Sequence, residues 1–183
     1  MKKIDYLLQN ERIRQAKKFI TGNTLLDIGC HFGEIFDSIL KKRPITGDGI
    51  DGIIDSKIEK KHYTLYPGYF PQDFAINKKY DNITLLAVLE HVPIEELVKY
   101  PATLKEFLNP QGRVIITIPT KKVDHILNIL LFFKLIHGMD LIHHQDFERS
   151  LIKNIFIQNG YTMIKEKRFE LGLNLLYVFE KNL

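Results

Sequence analysis

An acidic residue, two glycines and a histidine come together between residues 27 and 33. Asp27 lies at the end of the short apolar run 24–28, and Gly29 and Gly33 follow it with His31 between them. Glycine permits a tight turn and lets backbone N–H groups approach a bound ligand closely. Because α/β folds hold ligands where a strand passes through such a turn into a helix, the segment predicts a nucleotide-like ligand here.

A second acid follows the next apolar segment. Residues 45–50 predict a strand, and Asp51 and Gly52 come directly after it. In α/β nucleotide sites an acid at the tip of the second strand accepts hydrogen bonds from the ribose hydroxyls. We predict this role for Asp51, with Asp48 as the alternative on the same strand. The non-functional interpretation is a turn aspartate beside Gly52.

The spacing of the glycines discriminates between kinds of ligand. A dinucleotide fingerprint beginning at Gly29 needs glycine at positions 31 and 34, which are His31 and Glu34 in this chain. Asp27-x-Gly29-x-His31-x-Gly33 instead resembles motif I, D-x-G-x-G-x-G, of the class I methyltransferases that use S-adenosylmethionine (SAM). His31 replaces the middle glycine of that motif. The resemblance implies that four residues surround the methionine end of SAM: Asp27, Gly29, His31 and Gly33. It also implies that Cys30 and Gly52 contact the cofactor.

Three further segments extend the resemblance over residues 23–119. Tyr80-Asp81, Leu89-Glu90-His91-Val92 and Leu108-x-Pro110-x-Gly112 look like the Y-D, L-E-H-V and L-x-P-G-G segments of the small-molecule methyltransferase group. The resemblance implies an enzyme that transfers a methyl group from SAM to a small molecule by in-line displacement. It also implies that Ala87, before the L-E-H-V segment, contacts the cofactor.

The loop after the third predicted strand departs from the family. Many members carry Gly-Asp there, with the acid on the adenine amino group, whereas Tyr69 follows Gly68 in this chain. Tyr69 and Phe70 could enclose the adenine by stacking, and Asp73 could supply the acid. Local packing of these aromatic residues is the alternative.

Histidines are the candidate general bases, because imidazole titrates near neutral pH. His91 follows the fourth predicted strand, at the edge where ligands bind, and His143 and His144 precede the last predicted helix. His91 could instead cap the helix that begins at Pro93. Some related methyltransferases hold a divalent cation with E-x-x-E-H, but Ala87 replaces the first glutamate, so we predict no metal.

The predicted fold is a three-layer, Rossmann-like α/β domain with a doubly wound sheet. The resemblance implies seven strands in the order 3-2-1-4-5-7-6, of which the last hairpin is antiparallel. One domain spans residues 1–183, with an N-terminal helix in 1–20 and an apolar helical insertion in 121–145 that covers the site. The apolar part of that insertion, 123–136, is shorter than the roughly 20 residues that span a bilayer. Burial in its own domain or in a homodimer is favoured over peripheral membrane contact.

Composition narrows the remaining possibilities. The 183 residues are 45% hydrophobic and 26% charged, which is typical of a globular protein, and the single cysteine excludes a disulfide framework. The N-terminus lacks the apolar region of a signal peptide, so we predict a cytoplasmic protein. The net charge of +4 is spread over scattered basic pairs, and the Asn/Asp-Pro-Pro-aromatic signature of nucleic-acid amino-methyltransferases is missing. These features disfavour nucleic acid and leave a small-molecule acceptor, including hydrophobic, glycan or lipid intermediates.

Two other functions remain open at this point. A SAM-binding regulatory or scaffold protein without catalysis is compatible with the altered motif I and the altered adenine loop. A nucleotide-binding oxidoreductase is disfavoured by the glycine spacing.

Overall fold

The computed structural model describes residues 3–120 and 149–183, which form eight strands and five α-helices. The strands are β1 (Thr24–Ile28), β2 (Thr46–Asp51), β3 (Ile58–Glu59), β4 (Tyr63–Pro67), β5 (Tyr80–Leu86), β6 (Leu108–Pro119), β7 (Tyr161–Phe169) and β8 (Asn174–Lys181). The helices are α1 (Lys3–Ala16), α2 (Glu34–Leu40), α3 (Ile94–Leu97), α4 (Tyr100–Glu106) and α5 (Arg149–Gln158).

The strands form one sheet in the order β3-β4-β2-β1-β5-β6-β8-β7. The strands from β4 to β6 are parallel, and β8 runs antiparallel between β6 and β7. This confirms the predicted order, including the antiparallel final hairpin. The difference is β3, a two-residue strand that pairs antiparallel with the outer side of β4. Two residues are too few to show a periodic pattern, so the sequence did not indicate this eighth strand.

Helices cover both faces of the sheet and produce the predicted three layers. On one face, α1 and α2 bury Ile13 and Phe36 against strand residues such as Leu25. On the other face, α4 and α5 bury Leu104 and Phe156 among strand side chains. The near-continuous apolar character of the central strands follows from this double coverage.

Three element boundaries differ from the sequence prediction or refine it. The largely apolar run 80–90 predicts a fourth strand, but the strand ends at Leu86, because Ala87 has a φ of 60° and turns the chain into a 3-10 helix, Leu89–His91. The apolar run 114–119 predicts a fifth strand, but the strand begins earlier, at Leu108, since a bulge between two stretches of pairing absorbs residues 109–112. Because proline disrupts a helix interior, Pro101 predicts a break in the helical pattern that follows Pro93, and α3 and α4 are indeed separate helices, with Pro101 in the first turn of α4.

The predicted insertion 121–145, its apolar helix 123–136, and His143 and His144 lie outside the described residues. Within the ranges that the structure does describe, none of the helices has the length and apolarity needed to cross a bilayer.

Candidate cofactor site

Two adjoining cavities lie where β1, β2, β4 and β5 end. The smaller, about 240 Å³, is enclosed by α1, the turn after β1, the start of α2 and the end of β5. The larger, about 360 Å³, lies among the residues that follow β1, β2, β4 and β5. Gly29 and Ala87 line both cavities, so an elongated ligand that occupies both would pass over these two residues.

The turn after β1 brings two segments into close contact at Gly29. Gly29 has a φ of 72°, and a Cβ placed on it would lie 2.3 Å from Cγ2 of Val88. No other residue type fits this position without a shift of Val88. The Gly29 N–H donates to the carbonyl of Ile50 at 2.9 Å, which fixes the turn against the end of β2.

His31 keeps the backbone conformation that a glycine would adopt at the same position. Its φ is 48°, in the left-handed region that histidine enters more readily than most residues. Its ring Nδ1 lies 2.7 Å from Oε1 of Glu34. The turn therefore retains a left-handed residue at the middle position of motif I and adds an imidazole–carboxylate pair beside it.

Asp51 connects the turns after β1 and β2. Its carboxylate accepts hydrogen bonds from the N–H groups of His31 at 2.7 Å and Ile53 at 3.0 Å, and its side chain lines the larger cavity. Asp48, three residues earlier, points to the opposite face of the strand. It accepts hydrogen bonds from Tyr80 and Lys78 and lines neither cavity. Of the two candidates on β2, Asp51 is the one at the ligand edge.

Asp27 is a buried carboxyl at the smaller cavity. Only 4% of it is exposed, and the Thr84 hydroxyl donates to it at 2.6 Å. Burial raises the pKa of Asp27 to about 7; the Thr84 hydrogen bond opposes this effect, and the nearby charges of Asp51 and Glu34 add to it. A cationic ligand group at this position would favour the ionised form.

Cys30 lines the smaller cavity beside Asp27 and is buried. Burial, together with the nearby Asp27 and Asp51 charges, raises the pKa of the Cys30 thiol far above its ordinary range. The thiol is therefore neutral at physiological pH and has a packing role rather than a nucleophilic one.

The two aromatic residues after β4 have different environments. The Tyr69 side chain is 72% exposed, and its ring lies against Gly52, where a Cβ would be 2.5 Å from the ring atom Cζ. Phe70 is buried and packs against Tyr100 and Phe107, so it forms part of the floor of the larger cavity. Asp73 accepts a hydrogen bond from the Tyr69 N–H at 2.7 Å and lines neither cavity.

The structure places His91 at the larger cavity, in the 3-10 helix after β5. Its side chain is exposed, and its N–H donates to the Val88 carbonyl at 3.0 Å. His91 is thus beside the residues predicted to hold the ribose and the adenine.

Glu90 is the residue that sequence reasoning missed. Its Oε2 atom is buried and accepts no hydrogen bond from the residues described. Burial raises the pKa of Glu90 to about 7, and a backbone hydrogen bond and the charge of Arg12 only partly offset this effect. The L-E-H-V segment drew attention to the position, but no local pattern reveals that one oxygen of this carboxyl is buried without a donor among the described residues.

Ala87 separates the two cavities. It lines both of them, and its N–H donates to the Thr117 carbonyl at 2.9 Å. Across residues 3–120 and 149–183, no group of three or more histidine, cysteine, aspartate or glutamate side chains is arranged to hold a metal ion. The absence of a metal in the functional protein remains a prediction.

Charge is unevenly distributed over the described surface. Three carboxyl side chains line the two cavities, those of Asp27, Glu34 and Asp51, and Arg12 also lines the smaller one. Cations line a separate groove of about 500 Å³ at the C-terminal ends of α1 and α2: Arg14, Lys17, Lys18, Lys42 and Arg43. Burial and the neighbouring Lys42 and Lys41 lower the pKa of Lys17 there. Although the chain carries a net charge of +4, the cavity edge favours a cationic ligand.

Comparison with known proteins identifies the family. Residues 2–166 match a family whose description is methyltransferase domain. No curated protein sequence matches the chain significantly.

Solved methyltransferase structures share the fold. They include the N-methyltransferase NodS from Bradyrhizobium japonicum WM9, with 14% identity, a TM-score of 0.64, and coverage of 98% of this chain and 99% of that chain. The methyltransferase domain of bacterial CtHen1-C has 20% identity, a TM-score of 0.69, and coverage of 96% and 100%. The glycopeptide N-methyltransferase MtfA, complexed with SAM, has 11% identity, a TM-score of 0.64, and coverage of 94% and 93%.

At these sequence identities the solved structures establish only the fold of the chain, and the match to the family over residues 2–166 establishes its membership of that family. The motif I turn and the paired cavities agree with both. The chain therefore belongs to the methyltransferase-domain family, with a class I Rossmann-like fold and S-adenosyl-L-methionine as its cofactor.

Proposed function

We propose that this protein transfers a methyl group from SAM to a small-molecule acceptor. The observation that carries the proposal is the pair of cavities that meet at Gly29, with Asp27 in the smaller one and Asp51 in the larger one. The methionine end of SAM would occupy the smaller cavity, and the adenosine end would occupy the larger one.

The residues of the smaller cavity suit an amino-acid group. The buried Asp27 carboxylate receives a hydrogen bond from Thr84 alone among the described residues, so it retains capacity to accept from an ammonium. Arg12 of α1 lines the same cavity and can pair with a carboxylate. One cavity thus offers a partner for each charged group of an amino acid.

The larger cavity suits a nucleoside. Asp51 already binds two backbone N–H groups, and a carboxylate has further lone pairs for ribose hydroxyls. Tyr69 presents an exposed ring at the same cavity, because Gly52 leaves room for it. This ring could stack on the adenine.

The bound cofactor supplies a methyl group on a positively charged sulfur, ready for displacement. The chain aligns the acceptor with it, excludes water and removes a proton from the nucleophile. The carboxylates at the cavity edge stabilise a positive ligand more than a neutral one, so they favour SAM over its demethylated product, S-adenosylhomocysteine. That difference promotes product release after transfer.

We infer a small-molecule acceptor and not a nucleic acid. Among the described residues that line the two cavities, Arg12 is the only lysine or arginine, which supports this inference. Two of the structural neighbours are described as N-methyltransferases, so a nitrogen acceptor is compatible with this fold. A hydrophobic, glycan or lipid-linked acceptor, a cytoplasmic location, a homodimer and peripheral membrane contact remain proposals from the sequence.

The first experiment is calorimetric titration of the purified protein with S-adenosylhomocysteine. Wild-type protein should bind it, Asp27→Ala should bind it at least tenfold more weakly, and Asp55→Ala, at an exposed site in the loop after β2, should match the wild type. Absence of binding to folded wild-type protein would refute the proposal. Binding without methyl transfer to any acceptor would instead support the non-catalytic SAM-binding alternative, and NAD(P) binding in place of SAM would revive the oxidoreductase.

A further inference from the structure

We propose that Glu90 binds the acceptor as an ammonium ion and takes one of its protons before methyl transfer. The proposal makes the acceptor an amine and rests on the proposed function, because it assigns the substrate class of the same site.

Glu90 lies beside the cofactor cavities without lining them. It belongs to the 3-10 helix Leu89–His91, which the fully buried Leu89 anchors in the core. Ala87, three residues earlier, lines both cavities, whereas Glu90 lines neither. A group bound by Glu90 would therefore be next to the cofactor and outside its own pocket, which is the position that an acceptor requires.

Two polar atoms near the ends of β5 and β6 lack partners. Oε2 of Glu90 and Oγ1 of Thr117 are both buried without a hydrogen bond from the residues described. Thr117 is beside Ala87, because the Ala87 N–H donates to its carbonyl. Burying such atoms unpaired is costly, with each one destabilising by about 1–3 kcal/mol. An ammonium has three donors, and one of them could pair with Oε2 of Glu90.

Glu90 shares its one positively charged neighbour among the described residues with other acidic groups. Arg12 of α1 is the charged group that acts on it, and Arg12 also acts on Glu170, in the connection between β7 and β8. The Arg12 Nε donates to Asn174 at 3.4 Å, and Arg12 lines the smaller cavity, where it is available to the carboxylate of the cofactor. Arg12 thus acts on two carboxyls and is also the proposed partner of the cofactor carboxylate. A cationic acceptor would supply the further positive charge that Glu90 needs.

The proton transfer follows from this arrangement. The Glu90 carboxylate takes a proton from the acceptor ammonium and becomes a neutral carboxylic acid, which leaves a lone pair on the nitrogen. That lone pair forms the new carbon–nitrogen bond as the carbon–sulfur bond breaks with its electron pair on sulfur. The methylated product leaves as an ammonium, and Glu90 returns its proton to water. Because burial raises the pKa of Glu90 to about 7, both of its forms are populated near neutral pH, as a proton acceptor requires.

The test measures the protonation of Glu90 directly. In protein with ¹³C-labelled glutamate and bound S-adenosylhomocysteine, the Glu90 carboxyl signal is identified by its loss in Glu90→Gln. The signal is then titrated with pH in the presence of methylammonium chloride or of potassium chloride at the same concentration. A cation held beside the carboxylate should lower its pKa by about one unit or more with methylammonium only.

Matched variants separate this effect from general electrostatics. Glu90→Gln should bind S-adenosylhomocysteine within about twofold of wild type, as should Glu95→Gln, which removes an exposed carboxylate on α3. Methylammonium should raise the thermal midpoint of the S-adenosylhomocysteine complex in Glu95→Gln as in wild type, and not in Glu90→Gln.

Each outcome has a definite meaning. If S-adenosylhomocysteine binds and the pKa of Glu90 is the same in both salts, the amine subsite is refuted and the proposed function stands. If S-adenosylhomocysteine fails to bind to folded protein, the proposed function itself is refuted.

Discussion

Replacing Asp27 by asparagine should stabilise the ligand-free protein above neutral pH while it weakens cofactor binding. Burial raises the pKa of Asp27 from an ordinary value of 3.8 to about 7. At about 1.4 kcal/mol per unit, ionising this carboxyl in the folded protein costs about 4 kcal/mol. Asparagine avoids that cost and still offers an oxygen to the Thr84 hydroxyl.

The direction of the pH dependence follows from linkage. A carboxyl whose pKa is higher in the folded than in the unfolded state takes up a proton on folding. Its contribution to the free energy of unfolding is therefore largest below about pH 4 and falls as the pH rises towards about 7. For Asp27 alone, the loss between about pH 5 and about pH 8 is about 2.5 kcal/mol.

The assay is urea denaturation of ligand-free wild type and Asp27→Asn at about pH 5 and about pH 8. Asp81→Asn is the control, because the pKa of Asp81 is lowered in the folded protein whereas that of Asp27 is raised. Burial would raise the pKa of Asp81, but hydrogen bonds from Asn109 and from the Asn23 and Thr24 N–H groups lower it overall. Asp81→Asn should therefore lose stability at about pH 8. An Asp27→Asn variant that is no more stable than wild type at about pH 8 would refute the conclusion that burial raises the pKa of Asp27.

Three further predictions concern the neighbouring residues. Gly29→Ala should abolish S-adenosylhomocysteine binding in calorimetry and lower the free energy of unfolding by about 1–3 kcal/mol. The reason is that the new methyl group would clash with Val88 and that alanine is unfavourable at a left-handed backbone position. Unchanged binding would contradict the close contact between Gly29 and Val88. Asp51→Asn should weaken that binding less than Asp51→Ala, because asparagine keeps one acceptor for the His31 or Ile53 N–H, and equal losses would show that these backbone contacts are dispensable. With any amine acceptor that wild type methylates, Glu90→Gln should lower kcat by about 100-fold or more. His91→Gln should instead raise mainly the KM for SAM. The reverse pattern would identify His91 as the general base.

Much of this site could be predicted from local sequence. The run of apolar residues before Asp27 and the glycines after it specify a strand and a turn over a few consecutive positions. The L-E-H-V segment marks the end of β5 in the same way. Such features depend on neighbours along the chain, which is why the strands and the cofactor turn could be located before the structure. The order of the strands in the sheet was inferred from the resemblance to the methyltransferase family.

The sequence did not reveal which polar groups are buried and which partners they have. The sequence prediction preferred Asp51 to Asp48 without a physical contact to separate them. Only the structure showed that Asp48 accepts a hydrogen bond from Tyr80, 32 residues away, and that Asp51 lines the larger cavity. The two-residue strand β3 had no pattern of its own and exists because β4 offers it an edge.

The sequence by itself therefore indicated the family and its cofactor through a resemblance, and it located the segments that form the cofactor turn, because motif I and the L-E-H-V segment are each encoded by adjacent residues. Only the tertiary structure decided that Asp27 and Glu90 are carboxyls with a pKa of about 7, and that Gly52 makes room for the Tyr69 ring. The physical reason is that desolvation and packing depend on groups brought together from distant parts of the chain, and no local spacing records them.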